Sequence, residues 1–132
     1  MKINAVFILV LVLILFSCRK DEIKIDPNNP LIGTWNFFGN QDNISIYSRS
    51  SEFIDNYGYL FRSDGTLLQR EITGWCATPP VSYSDYDGIW KQVNDTLIEI
   101  NVGYWGGLLK YRLDIESVDK TSLKVINIPE DK

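Results

Sequence analysis

The stretch Tyr57–Ile72 reads YGYLFRSDGTLLQREI and decides the fold. Asp64-Gly65 supplies the positive φ of a tight hairpin turn, with an alternating segment on each side. Before the turn, Tyr57, Tyr59 and Phe61 share one face, while Gly58, Leu60 and Arg62 take the other. The pattern repeats downstream. YDGIWKQVNDTLIEINV (Tyr86–Val102) turns at Asn94-Asp95, and LLKYRLDIESVDKTSLKVINI (Leu108–Ile128) turns at Asp119-Lys120. In the latter, Leu109, Tyr111, Leu113 and Ile115 alternate with Lys110, Arg112, Asp114 and Glu116, so one face is buried and one is wet. LIGTWNFFG (Leu31–Gly39) adds a first strand, and NISIYS (Asn43–Ser48) an optional eighth. No window carries a persuasive helical period; the least clear is Gln41–Asn56.

The expected fold class is therefore all-β: a small antiparallel up-and-down (meander) barrel of seven or eight strands. Closure removes exposed edges. Tight turns at Ser63–Gly65, Val93–Asp95 and Val118–Lys120 alternate with longer loops at Gly74–Asp85 and Gly103–Gly107. In a meander, alternate connections lie at the same end. The expected shape is a cup, closed by tight turns at one end and open at the other. Large inward aromatics (Trp35, Phe37, Tyr59, Phe61, Trp90 and Tyr111) push instead toward a barrel filled by its own side chains.

Upstream of the barrel lies a different kind of sequence. Ala5–Phe16 is an unbroken apolar run of 12 residues after Lys2. As a helix it would be about 18 Å long, against roughly 30 Å of bilayer hydrocarbon, which suits a secretory leader better than a membrane span. The run stops at LFSC (Leu15–Cys18), followed by RKDE (Arg19–Glu22). LFSC resembles a bacterial lipobox, which implies lipidation of Cys18 with palmitate-type acyl chains and cleavage before it. CRKDE resembles the export signal of Bacteroidetes lipoproteins, which implies an outer-membrane, lipid-anchored protein displayed at the cell surface. Several acyl chains at about 0.8 kcal/mol per CH₂ hold such a protein on the membrane. The expected organisation is a signal peptide over 1–17, the lipidated Cys18 with a flexible linker over 18–30, and the barrel over 31–132.

Composition excludes several functions. The formal charge is −4, and losing Lys2 with the leader leaves one positive charge fewer, −5. That argues against a nucleic-acid partner. The chain has no His, which removes Ser-His-Asp and Cys-His catalysis and the commonest zinc ligand. Of two cysteines, Cys18 is assigned to lipid, so Cys76 is expected as an apolar filler or loop residue. Asp85 and Asp87 are the nearest thing to a catalytic carboxylate pair, and read more simply as turn and strand-start residues. No enzyme activity, catalytic residue, cofactor or metal is expected, and the protein is expected to be monomeric.

The whole mature domain resembles the lipocalin-like lipoproteins of Bacteroidetes. The resemblance is carried by Gly33-Thr34-Trp35 in the first strand, the FRSDGTL hairpin (Phe61–Leu67), GIWKQVNDTLIEI (Gly88–Ile100) and the closing YRLDIESVDKTSLKV (Tyr111–Val125). It implies that Trp35 closes the bottom of the barrel under a basic residue from the last strand, for which Lys124 is the candidate. It also implies a ligand inside.

The longer loops hold Trp75 and Tyr83 in one and Tyr104 and Trp105 in the other; Tyr47 and Phe53 fall in the first long connection. Trp and Tyr pair an apolar body with a polar tip, which suits a binding rim. They equally suit a satellite core over the barrel end. Two functions follow. In the first, a surface lipoprotein binds a small apolar or amphipathic ligand through a rim of Trp75, Tyr83, Tyr104 and Trp105. In the second, a side-chain-filled, non-enzymatic barrel contacts a protein or glycan through its loops.

Overall fold

The computed structural model describes residues 26–73 and 79–130; Cys18, the leader, Trp75 and Cys76 lie outside the described residues. Eight strands form: β1 (Gly33–Gln41), β2 (Ile44–Ser50), β3 (Gly58–Phe61), β4 (Thr66–Ile72), β5 (Tyr83–Gln92), β6 (Leu97–Tyr104), β7 (Gly107–Val118) and β8 (Ser122–Pro129). All neighbours are antiparallel and the sheet closes into a barrel in the order β1-β2-β8-β7-β6-β5-β4-β3. The all-β barrel expected from the alternation is present, with NISIYS contributing to a strand. Strands β3 to β8 follow one another in sequence order. The up-and-down order breaks at one step: β2 pairs β8, and β3 returns to the far side of β1.

That step has a visible cause. The crossing segment Ser51–Tyr57 lies over the outside of β1, and Asn36 holds it there. Asn36 points away from the core yet is only 4% exposed. Its Nδ2 donates to the Glu52 carbonyl at 2.9 Å, and its Oδ1 accepts from the Ile54 amide at 3.2 Å. Phe53 packs beneath Arg70, whose guanidinium carbon sits 4.6 Å from the ring centre. Gly58 has no room for a side chain, since a Cβ would lie 2.7 Å from the Trp35 carbonyl and 2.9 Å from Phe53. Arg70 also donates to the Ile54 carbonyl at 2.9 Å and binds Asp85 through two bonds, at 2.7 and 3.1 Å. An exposed pair of this kind adds little stability; here it aims Arg70 at Phe53. It also uses Asp85 on the outer face, so Asp85 and Asp87 do not converge on a site.

The turns at 62–65, 93–96 and 119–121 share one end with the start of β1, as the alternation of connections required. Asx-type bonds fix all three turns: the Asp64 carboxylate accepts from the Thr66 amide and hydroxyl, Asn94 Oδ1 from the Thr96 and Leu97 amides, and the Asp119 carboxylate from Thr121 and Ser122. Both carboxyls are held below their ordinary range by these bonds. The opposite end carries the Asp42–Asn43 turn, Thr73 with residues 79–82, and the β6–β7 turn. The last is tighter than its sequence suggests. Gly103 and Tyr104 belong to β6 and Gly107 to β7, which leaves a two-residue turn at Trp105-Gly106.

The core fills the closed half. Trp35, Phe61, Leu67, Ile98, Ile100, Leu113, Leu123 and Val125 are essentially inaccessible to solvent. Leu31 plugs the end, and the chain reaches back in turns to Asp26, where the Asn29 amide group donates to Gln92 at 2.8 Å. The folded part thus begins before Leu31. Among the described residues, the eight strands close on one core that runs from Leu31 to Val125.

Trp35 does close the bottom, but its cover differs from expectation. Lys124 does not supply it. Arg49 of β2 lies over the Trp35 ring, 4.2 Å from guanidinium carbon to ring centre. It donates to the Ile32 carbonyl at 2.8 Å and to the Pro30 carbonyl. Because β2 is beside β8, an arginine from β2 reaches the place that the resemblance reserved for the last strand. The planar guanidinium suits ring stacking and carbonyl bonding together. Gly33, at φ +132°, leaves it space: a Cβ there would sit 2.6 Å from Arg49 Nη1.

Candidate functional site

Above the filled half the barrel interior opens into a cup of about 770 Å³. Strand parity selects its lining. In β4 the inward positions are Leu67, Gln69 and Glu71; in β3, Tyr59 and Phe61; in β7, Tyr111 and Leu113. In β3 and β4 the inward side chains turn from apolar toward the closed end to polar or phenolic toward the mouth, and β7 adds Tyr111 and Leu109 to the lining. Phe37 and Tyr47 complete the wall from β1 and β2, and Tyr57 from the end of the crossing segment. The rings meet edge to face: Phe37 with Tyr47 at 5.6 Å between centres, and Phe37 with Tyr57 at 6.1 Å. Such contacts stiffen a wall beyond what burial alone provides.

The floor is a chain of hydrogen bonds. The Tyr111 hydroxyl donates to Gln69 Oε1 at 2.7 Å, and Gln69 Nε2 donates to Glu71 Oε1 at 2.7 Å. Tyr111 has one proton and gives it to Gln69, so in the 2.7 Å contact between the hydroxyls of Tyr59 and Tyr111, Tyr59 is the donor. Tyr47 packs beside Tyr59, with 5.3 Å between their ring centres. The donors therefore run in one direction and end on the Glu71 carboxylate. Burial raises the Tyr47, Tyr59 and Tyr111 phenols well above their ordinary range, so all three stay protonated. Glu71 is half-buried; loss of solvent raises its carboxyl, and the bond from Gln69 pulls the other way.

Three of the four aromatics expected at the rim, Tyr83, Tyr104 and Trp105, fall elsewhere. Tyr83 is the first residue of β5 and packs edge-on against Tyr57 at 5.6 Å, supporting a cup residue from behind. Tyr104 ends β6, and Trp105 stands in the adjoining turn, 52% exposed; the two rings pack on each other at 5.8 Å. Neither lines the cup. Trp75 lies outside the described residues. The residues that do line it include Tyr47, which belongs to β2 and not to a loop, and Gln69 and Glu71, which sequence reasoning passed over. Their signal was available. Once the Asp64-Gly65 turn fixes the register, Gln69 and Glu71 take inward parity behind Leu67, and a Gln and a Glu facing the inside of a barrel call for a reason.

Among the described residues no cluster of three or more Cys, Asp or Glu is placed to hold a metal ion. The arrangement can enclose a small molecule, contact it with ring faces and offer it a carboxylate. In comparisons with known proteins, no family model, no curated protein and no solved structure matches this chain.

Proposed function

We propose that the chain is a lipoprotein, anchored to the outer membrane through Cys18 and displayed at the cell surface, whose lipocalin-like barrel binds a small amphipathic molecule in the cup. The cup carries the binding reading. Its volume of about 770 Å³ falls among ligand pockets, which are mostly apolar with a few placed polar groups. The wall of Phe37, Tyr47 and Tyr57 over a floor of Gln69 and Glu71 has that character. The LFSC and CRKDE stretches carry the anchoring reading. The chain enters the barrel beside Leu31 at the closed end, opposite the mouth of the cup.

The test is displacement of a fluorescent amphipathic probe from the soluble domain, residues 19–132. Wild type should bind the probe, and Gln69→Trp, which fills the floor, should lose at least tenfold in affinity. Equal binding by both would overturn the cup as the site. Cys18→Ser should abolish acyl labelling and processing; an acylated, normally processed variant would overturn the anchor.

One observation favours a second reading, an interaction protein. Ile89 and Leu108 are 58% and 89% exposed and flank a groove of about 270 Å³ on the outside of β5–β7. Loss of partner capture from Leu108→Asp, with probe binding intact, would move the function to that face.

A further inference from the structure

Two carboxylates line the cup. Glu130 is at the lip, exposed, and 3.4 Å from Lys110. Lys110 in turn joins Lys91 and Arg112 around Glu99 on the outer face of the barrel, within 3.5 to 3.8 Å. Lys110 also borders the cup at its lip, where its charge is shared between Glu130 and Glu99, and Lys91 and Arg112 are engaged on the outer face. Glu71 stands inside it, and none of the ion pairs among the described residues includes it. The titratable groups that face it are the phenols of Tyr47, Tyr57, Tyr59 and Tyr111, each of which it pushes toward the neutral form.

A half-buried carboxylate without a cation is costly to keep ionised, and burial of such a group normally goes with a partner. The hydrogen-bond chain narrows what the partner can be. The phenolic protons of Tyr59 and Tyr111 are directed along the chain toward Glu71, so this part of the floor presents acceptor capacity: the second carboxylate oxygen and the unused lone pairs of the two phenols. One amide hydrogen of Gln69 is the exception. At the floor a headgroup therefore meets acceptors and a negative charge, which favours one that carries positive charge. Around the carboxylate stand Phe37, Tyr47, Tyr57 and Tyr59, whose ring faces attract a positive charge. An acid or a phosphate ester would meet a like charge here.

From this geometry we infer that the cup selects organic monocations, an ammonium group on a small apolar body, with Glu71 as counter-ion and the aromatic wall as the rest of its shell. The inference rests on the cup reading above and deepens it. Residues 19–132 would be titrated calorimetrically with octylamine, octyltrimethylammonium, octanol and octanoate, which share one apolar body and differ in headgroup. Both cations should bind at least tenfold tighter than octanol, with octanoate the weakest. Glu71→Gln should lower affinity for the cations about tenfold, the equivalent of about 1.4 kcal/mol, and leave octanol unchanged. Octanol or octanoate binding as well as octylamine would overturn the cation while leaving the cup in place. The wild-type series alone decides this, even if the variant fails to fold. Binding of none of the four would overturn the cup reading itself.

Discussion

The two halves of this barrel use the same strands for opposite purposes. Toward the closed end, the inward side chains pack against one another: Trp35 under Arg49, Phe61 against Trp90 at 5.2 Å, with Leu67, Ile98 and Leu113 buried around them. Toward the mouth, the same strands carry Tyr59, Gln69, Glu71 and Tyr111, joined by hydrogen bonds around open space. One half removes apolar surface from water and supplies the stability. The other keeps polar groups and a carboxylate in a partly dry place, which costs stability and is the usual mark of a site. A barrel of this size can be filled or can hold one ligand. This one divides the two tasks along its axis.

The largest effect that would test the division is Trp35→Ala. Truncating a fully buried Trp costs about 3–5 kcal/mol, and here it also leaves Arg49 without its stacking partner. Chemical denaturation should show a midpoint far below wild type; a loss under about 1 kcal/mol would mean that the closed half is not the stabilising half. Next comes Asn36→Ala. It strips partners from the Ile54 amide and the Glu52 carbonyl, for an expected loss of about 1–3 kcal/mol, with hydrogen exchange fastest in Ser51–Tyr57. If exchange instead rises evenly over the whole barrel, Asn36 is a general core residue and not the peg of the crossing.

Glu71→Gln should act in the opposite direction. Because desolvation raises its carboxyl, the native state holds that proton more tightly than the unfolded chain does. The resulting stabilisation is present in acid and is lost as pH rises through the raised value, so at neutral pH the ionised group is a burden. The Gln variant should melt above wild type at neutral pH, and the gap should close as pH falls. A gap that ignores pH would remove Glu71 as the strained group of the open half. The smallest effect belongs to Trp105→Ala. Its ring is half exposed and outside the cup, so the stability change should stay within about 0.5 kcal/mol and probe binding should not move. A large loss of binding would return Trp105 to the rim that the sequence suggested.

Register explains how far the sequence could be read. Asp64-Gly65, Asn94-Asp95 and Asp119-Lys120 announce their turns by local chemistry, and a period of two then assigns the faces of strands such as Leu109–Glu116. All of that is written within a few residues of where it acts, and it yields the all-β class, the closed end and the inward Trp35. The β1–β2 hairpin was less legible. Its insertion between β8 and β3 depends on Asn36 meeting Glu52 and Ile54, a contact made across the outside of the barrel. From that one crossing follow two surprises: Arg49 and not Lys124 covers Trp35, and Tyr47 joins the cup wall.

By itself, then, the sequence determined the strands, their tight turns and which residues face inward, because hairpin turns and alternation are local. Only the tertiary structure decided that the inward Tyr59, Tyr111, Gln69 and Glu71 form one hydrogen-bonded floor and that the aromatics at Tyr104 and Trp105 pair with each other outside it. The floor brings together residues from three strands, up to 52 positions apart in the chain. Strand order and barrel curvature set such distances, and no short window of sequence contains either.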